Sequence, residues 1–185
     1  MKVIEVNNLR KEYAVSKRKV KENGKKALFQ REKSIKNAVD GISFNVEEGE
    51  TLAFIGPNGA GKSTTIKMLT GILYPTSGDV KVLGINPSKD RIKLSYQIGS
   101  VFGQKEQLWV HLSAMENFKF FGSIYDIKKS ELSKRIDELA TIFEIKDFIN
   151  QPVKSLSLGQ RMKCEMVASL LHNPKMLFLM SQLLA

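Results

Sequence analysis

Hydrophobic and polar positions follow two different periods along this chain, and the change of period divides it. Residues 3–6 form a short apolar run of strand type, and Ile42-Ser43-Phe44-Asn45-Val46 alternates strictly, so each reads as a strand. Between them, after Tyr13, no period holds, and that stretch reads as an extended loop or hairpin insertion. Glu47-Glu48-Gly49-Glu50 is a turn, and Thr51-Leu52-Ala53-Phe54-Ile55 is a continuous apolar run of the kind buried on both faces of a sheet. A core strand is therefore expected before Gly56. Ile66 and Leu69 recur at helical spacing, Gly71 follows as a stop, and Val80-Lys81-Val82 alternates as another strand.

After Ile98–Phe102 the pattern becomes helical. Ser113 and Glu116 form a capping-box pair, and Ser130 opens a run containing Leu132, Ile136, Leu139 and Phe143. Asn173-Pro174 breaks the last helix, and Met176-Leu177-Phe178-Leu179-Met180 is a second wholly apolar strand. This order makes the chain α/β, with residues 1–104 and 173–185 as the core and 105–172 as a helical insertion.

Composition narrows the class. The 185 residues, 42% hydrophobic and 26% charged, suit one globular domain with an inserted subdomain, and no apolar run approaches the roughly 18 residues of a membrane span. The opening MKVIEVNNLR has Glu5 inside its only apolar stretch, so it lacks the apolar centre of a secretory signal, and cytosolic synthesis is expected. The single Cys164 sits among Met162, Met166 and Val167 at helical spacing and reads as a packing residue. Net charge is +10, but residues 10–36 alone hold eleven Lys or Arg against Glu12, Glu22 and Glu32. Such a cluster can attract nucleic acid or anionic lipid, and it can equally be a solvated hairpin.

Gly56-Pro57-Asn58-Gly59-Ala60-Gly61-Lys62-Ser63-Thr64 satisfies G-x-x-x-x-G-K-[ST] between a predicted strand and a predicted helix. Glycines let backbone N–H groups curl around a phosphate, and the helix that follows offers its positive end. Lys62 is placed to reach the β- and γ-phosphates of a nucleotide, Ser63 to ligate Mg²⁺, and Thr64 and Thr65 to line the phosphate pocket. On this loop alone a kinase, a GTPase and a transport ATPase remain open.

Further motifs carry a family resemblance. Ser155-Leu156-Ser157-Leu158-Gly159-Gln160-Arg161 closely resembles the LSGGQ signature of ATP-binding cassette (ABC) ATPases, and it follows a helical insertion as in that family. Gln104, after Val101-Phe102-Gly103, resembles the family's Q-loop glutamine, and Tyr13 the aromatic that stacks on adenine. VFGQKEQLWVHLSAMENF and LSLGQRMKCEMVASLLHNPKMLFL look like an exporter branch that also carries a basic insertion.

The resemblance implies a P-loop NTPase core of ABC type with an inserted helical subdomain, and ATP with Mg²⁺ as cofactors. Gly56 to Thr65, Tyr13 and Gln104 would hold nucleotide, and Ser63 and Gln104 would share the metal. Ser157, Gly159 and Gln160 would face ATP bound to a second cassette, so a dimer is implied. A separate membrane-spanning subunit would be driven by ATP hydrolysis, with this subunit cytoplasmic and peripheral on the inner face of the membrane. No nucleic-acid partner is expected; the alternative is a soluble ABC protein acting on ribosomes or nucleic acid. His111 and His172 read as structural, and Glu165, in the signature helix, as solvated or paired within its helix.

Two features depart from the family pattern. Leu158 replaces the first of the paired signature glycines. Met180 and Ser181 stand where the family has the Walker B Asp of the Mg²⁺ shell and the Glu that polarises the attacking water. The chain thus reads as C-terminally incomplete and hydrolysis-deficient. The tail suggests an origin. The family's Asp-Glu-Pro-Thr-Ile-Gly-Leu-Asp, written GAT GAG CCA ACT ATT GGC TTA GAT, becomes Met-Ser-Gln-Leu-Leu-Ala and a stop when its first G is lost. A frameshift is the expected cause.

Overall fold

The computed structural model describes residues 1–20, 26–102 and 107–180. The chain divides into two compact units, one of Met1–Leu94 and one beginning at Ser95.

In the first unit, β1 (Lys2–Val20) and β2 (Lys26–Glu47) pair as an antiparallel ribbon, and β3 (Ser77–Val82) adds antiparallel to the other edge of β1. Alternation decides which face is apolar. Ile4 lies across from Val46 and Val82, and Val6 across from Phe44 and Val80, whereas Glu5 pairs with Asn45 and Lys81 on the opposite face. Ile4, Val6, Val46, Val80 and Val82 are buried, as are Ile66, Met68 and Leu69 of helix α1 (Lys62–Leu69). The strands expected at 3–6, 42–46 and 80–82 all form. The stretch after Tyr13 takes the hairpin alternative, its register running from Tyr13 opposite Lys36 to Val20 opposite Lys26.

The strand expected at 51–55 does not form. Those residues carry no strand pairing, Ile55 is 93% exposed and Leu52 47%, and only Phe54 is half-buried, edge-on to Phe44 at 5.5 Å. A strand apolar on both faces holds only when neighbours pair along its edges, and no described strand lies beside this one.

Helix α2 (Arg91–Ser95) leads into the second unit. There β4 (Ile98–Phe102) and β5 (Met176–Met180) pair in parallel, Ile98 with Met176 through Phe102 with Met180. Helices α3 (Ala114–Ile124), α4 (Lys129–Ile142) and α5 (Leu158–Leu170) pack with them. The expected capping box starts α3: the Glu116 N–H donates to the Ser113 hydroxyl oxygen at 3.2 Å, and the Ser113 N–H donates to the Glu116 carboxylate at 2.7 Å. Hydrogen bonds to that hydroxyl and to the N–H, more than Lys119, hold the Glu116 pKa below its usual value. On α4, Leu132, Ile136 and Leu139 line the buried stripe with Phe118, Ile145, Val153 and Val167.

Candidate nucleotide-binding site

The loop from Gly56 to Ala60 is exposed and passes into α1 through Gly61. Gly61 is left-handed, with φ of 87°, and a Cβ built on it would lie 2.4 Å from the carbonyl oxygen of Ala38 on β2. Only glycine fits both the backbone turn and that close approach. The strand that returns from the basic ribbon therefore backs the loop, and it is tied across to β1 by an Arg10–Asp40 ion pair at 2.5 Å.

Helix α1 begins without a side-chain cap and without an acidic residue in its first turn. Its leading N–H groups have no helical acceptors, and no carboxylate competes for its positive end, which suits an incoming phosphate. The Lys62 ammonium arches back over the loop, donating to the carbonyl oxygens of Gly56 at 2.5 Å and Pro57 at 2.9 Å. Ser63 and Thr64 are half-buried in the first turn. Thr65 sits deeper, 3% exposed, and its hydroxyl donates to the Gly61 carbonyl oxygen at 3.1 Å, so it braces the helix start.

Tyr13 lies on β1 of the same unit, 41% exposed, with the Lys11 ammonium 5.3 Å from its ring centroid and anchored on the Tyr74 carbonyl oxygen at 2.8 Å. Gln104 and Ser181 lie outside the described residues. Met180 lies on β5 of the second unit and carries a thioether, which offers a hard cation no oxygen. The described residues contain no cluster of three His, Cys, Asp or Glu able to hold a metal. The loop and the first turn of α1 thus fit a nucleotide's phosphates.

The signature segment belongs to the second unit. Ser157 caps α5 through a second capping box: its hydroxyl accepts the Gln160 N–H at 3.3 Å, and its own N–H donates to the Gln160 amide oxygen at 2.9 Å. Gln160 is therefore engaged within the cap. Leu158 is 74% exposed, and a Cβ added to the exposed Gly159 would touch nothing within 4 Å.

Other candidates resolve as packing. Cys164 is fully buried, and burial, then the neighbouring Glu165, push its thiol pKa up to about 11. Glu165 itself is 3% exposed, so of the two roles expected for it, solvated or paired within its helix, burial excludes the first: it faces inward on α5 beside Cys164. His172 stacks on Tyr125 with ring centroids 4.0 Å apart, and its Nε2 lies 3.0 Å from the Ile98 carbonyl oxygen. Burial lowers the His172 pKa against that hydrogen bond, which raises it.

Sequence reasoning missed one surface feature. Trp109, 54% exposed, packs on Phe120, 37% exposed, with centroids 4.3 Å apart. The run Phe118-Lys119-Phe120-Phe121 was the available signal, since a helix that buries Phe118 must turn Phe120 away.

The family described as ABC transporter matches residues 39–179, which takes in the phosphate loop, the signature helix and β5 as far as Leu179. The chain belongs to the ABC transporter ATP-binding family. Similar proteins include the ABC transporter ATP-binding protein NatA of Bacillus subtilis, 34% identical over 79% of this chain and 59% of NatA. The linearmycin resistance ATP-binding protein LnrL of the same organism is 35% identical over 78% of this chain and 46% of LnrL. CbiO1 of Clostridium perfringens, part of an ABC transporter complex, superposes with a TM-score of 0.75 at 28% identity over 96% of this chain and 64% of its own. An ATP-binding cassette captured as a dimer with ADP and Pi superposes at 0.74, with 26% identity over 95% of this chain and 72% of its own. This ABC chain spans less than two thirds of NatA and LnrL. Its fold class is the mixed α/β architecture of those nucleotide-binding domains.

Proposed function

We propose that this chain is the ATP-binding subunit of an ABC exporter that works with a separate membrane-spanning subunit, and that it binds ATP without turning it over. The observation that carries the reading is the loop itself: Gly61 held against Ala38, a first turn free of acids, and Lys62 poised above the loop carbonyls. The exporter assignment is supported by the relative named for linearmycin resistance.

Met180 at the Walker B aspartate position, followed by Ser181, leaves neither a carboxylate for Mg²⁺ nor one to polarise water. Nucleotide would then act as a ligand. Pairing with a second cassette is supported by the capped, exposed start of α5, where a Cβ added to Gly159 would find open space. The paired Trp109 and Phe120, their rings tilted by 35°, offer the kind of aromatic anchor a protein partner buries. No helix among the described residues is long and apolar enough to cross a membrane.

Titration with a fluorescent ATP analogue tests the reading. Lys62→Ala removes a charged hydrogen-bond donor and should weaken binding about 10- to 100-fold, while phosphate release stays at background for both proteins. Equal affinity in the two proteins refutes the phosphate site. Phosphate release that Lys62→Ala abolishes refutes the inactive reading.

A further inference from the structure

Helix α1 starts at the phosphate loop and ends at Leu69, and the segment that follows it grips β1 at consecutive residues. The Thr76 N–H donates to the Arg10 carbonyl oxygen at 2.8 Å, the Lys11 ammonium to the Tyr74 carbonyl oxygen at 2.8 Å, and the Glu12 N–H to the Thr76 hydroxyl oxygen at 3.0 Å. These bonds take over that edge of β1 just where its pairing with β3 ends, at Arg10 opposite Ser77. On the other edge Lys11 pairs with Val39 and Glu12 with Asn37, which leaves Ala38 as the extra residue of a bulge. Its carbonyl oxygen is the one set against Gly61. Residues 10–12 are thus held from both edges, and each hold leads back to the phosphate loop, one through α1 and the other through Ala38.

Tyr13 comes next along the strand. The Lys11 ammonium lies over its ring, 5.3 Å from the centroid, and the hydrogen bond to Tyr74 fixes where that charge sits. A cation so placed is attracted by the ring quadrupole and occupies one face. The ring remains 41% exposed, so it is held in place with surface left for a second planar group. Phosphate binding has no need of such a fixed, half-covered ring.

We propose that Lys11 is a positioning residue for the base of the nucleotide: tethered to Tyr74, it holds the Tyr13 ring so that the uncovered face stacks a purine. The inference rests on the proposed ATP binding and extends it from the phosphates to the base, with the segment after α1 joining the two ends of the site.

Calorimetric titration of the full chain with ATP, adenosine and inorganic tripolyphosphate tests it, since adenosine lacks the phosphates and tripolyphosphate the base. Stacking a base on an aromatic side chain changes affinity about 5- to 150-fold, so Tyr13→Leu should weaken ATP and adenosine within that range. A cation–π contact at an exposed site is worth about a two- to fivefold change, so Lys11→Met should weaken ATP and adenosine by that factor and leave tripolyphosphate binding as in the parent. Lys11→Arg keeps the cation and should recover most of the loss. In K11M/Y13L the loss should equal that of Tyr13→Leu alone, because Lys11 acts through the ring. Parent-like ATP and adenosine affinities in Lys11→Met overturn the proposal. So does an equal loss for tripolyphosphate, which would make Lys11 a phosphate contact, and so do single losses that multiply in K11M/Y13L. Lys62→Ala keeps the two readings apart, because it should weaken tripolyphosphate and not adenosine. Tripolyphosphate binding indifferent to Lys62→Ala, with adenosine binding still sensitive to Lys11→Met, removes only the phosphate site; the converse removes only the role of Lys11.

Discussion

Three glycines separate the contributions that shape the phosphate loop and the signature turn. Gly61 has φ of 87° and its added Cβ would meet a backbone oxygen at 2.4 Å; Gly59 has the same φ with nothing within 4 Å; Gly159 is helical and equally open. An L-residue held left-handed costs about 1–2 kcal/mol. Forcing a methyl group into packed atoms costs about 1–3 kcal/mol more, and here the obstacle is the Ala38 carbonyl, fixed in β2, which would have to retreat by about 1 Å. Gly61→Ala should therefore destabilise the first unit by about 2–5 kcal/mol, and Gly59→Ala by about 1–2 kcal/mol. Gly159→Ala should be neutral or stabilise α5 by up to about 1 kcal/mol, because alanine is the better helix former. Urea unfolding followed by far-UV circular dichroism gives all three values. A Gly61→Ala midpoint equal to that of Gly59→Ala would show that β2 does not press on the loop. A Gly159→Ala loss above about 1 kcal/mol would show that its surroundings are not open.

What was legible in the sequence was what is decided within a few residues. The capping box of Ser113 with Glu116 joins groups three positions apart, so composition and spacing announce it; the box of Ser157 with Gln160 has the same spacing and went unread behind the signature resemblance. The phosphate loop is legible for a similar reason: its glycines, lysine and serine are consecutive. The part of Ala38 in shaping that loop was not, because a contact with Gly61 made across the sheet leaves no local pattern. The ribbon escaped a definite reading because neither of its faces is buried between residues 33 and 37, and without a core there is no hydrophobic period to read. The run at 51–55 misled for the opposite reason. Apolarity states what a segment would gain from burial, whereas pairing depends on which strands flank it. Glu165 shows the same limit on a helix, since its inward face follows from α5 packing and not from its own charge.

The remaining predictions concern single groups. Chelation of divalent metal should change ATP affinity by no more than about a factor of three, since Met180 offers no oxygen; a larger loss on EDTA would place metal ligands outside the described residues. Cys164, with its thiol pKa at about 11, has about one thiolate per thousand molecules at pH 8, so it should resist a disulfide reagent in the native chain and react fully in urea. Rapid native labelling would mean that α5 opens. His172 should make the second unit acid-sensitive. Burial holds its folded pKa below 6.5, so the unfolded chain takes up a proton first as pH falls. The stability contributed by neutral His172 is complete above 6.5, declines as pH drops through that value, and levels off below the folded pKa. Melting followed by Trp109 fluorescence should move down between about pH 7.5 and 5.5, less steeply in His172→Gln. A parent chain whose melting is flat across that window would mean that the imidazole, stacked on Tyr125 and bonded to the Ile98 carbonyl, accepts its proton without losing either contact.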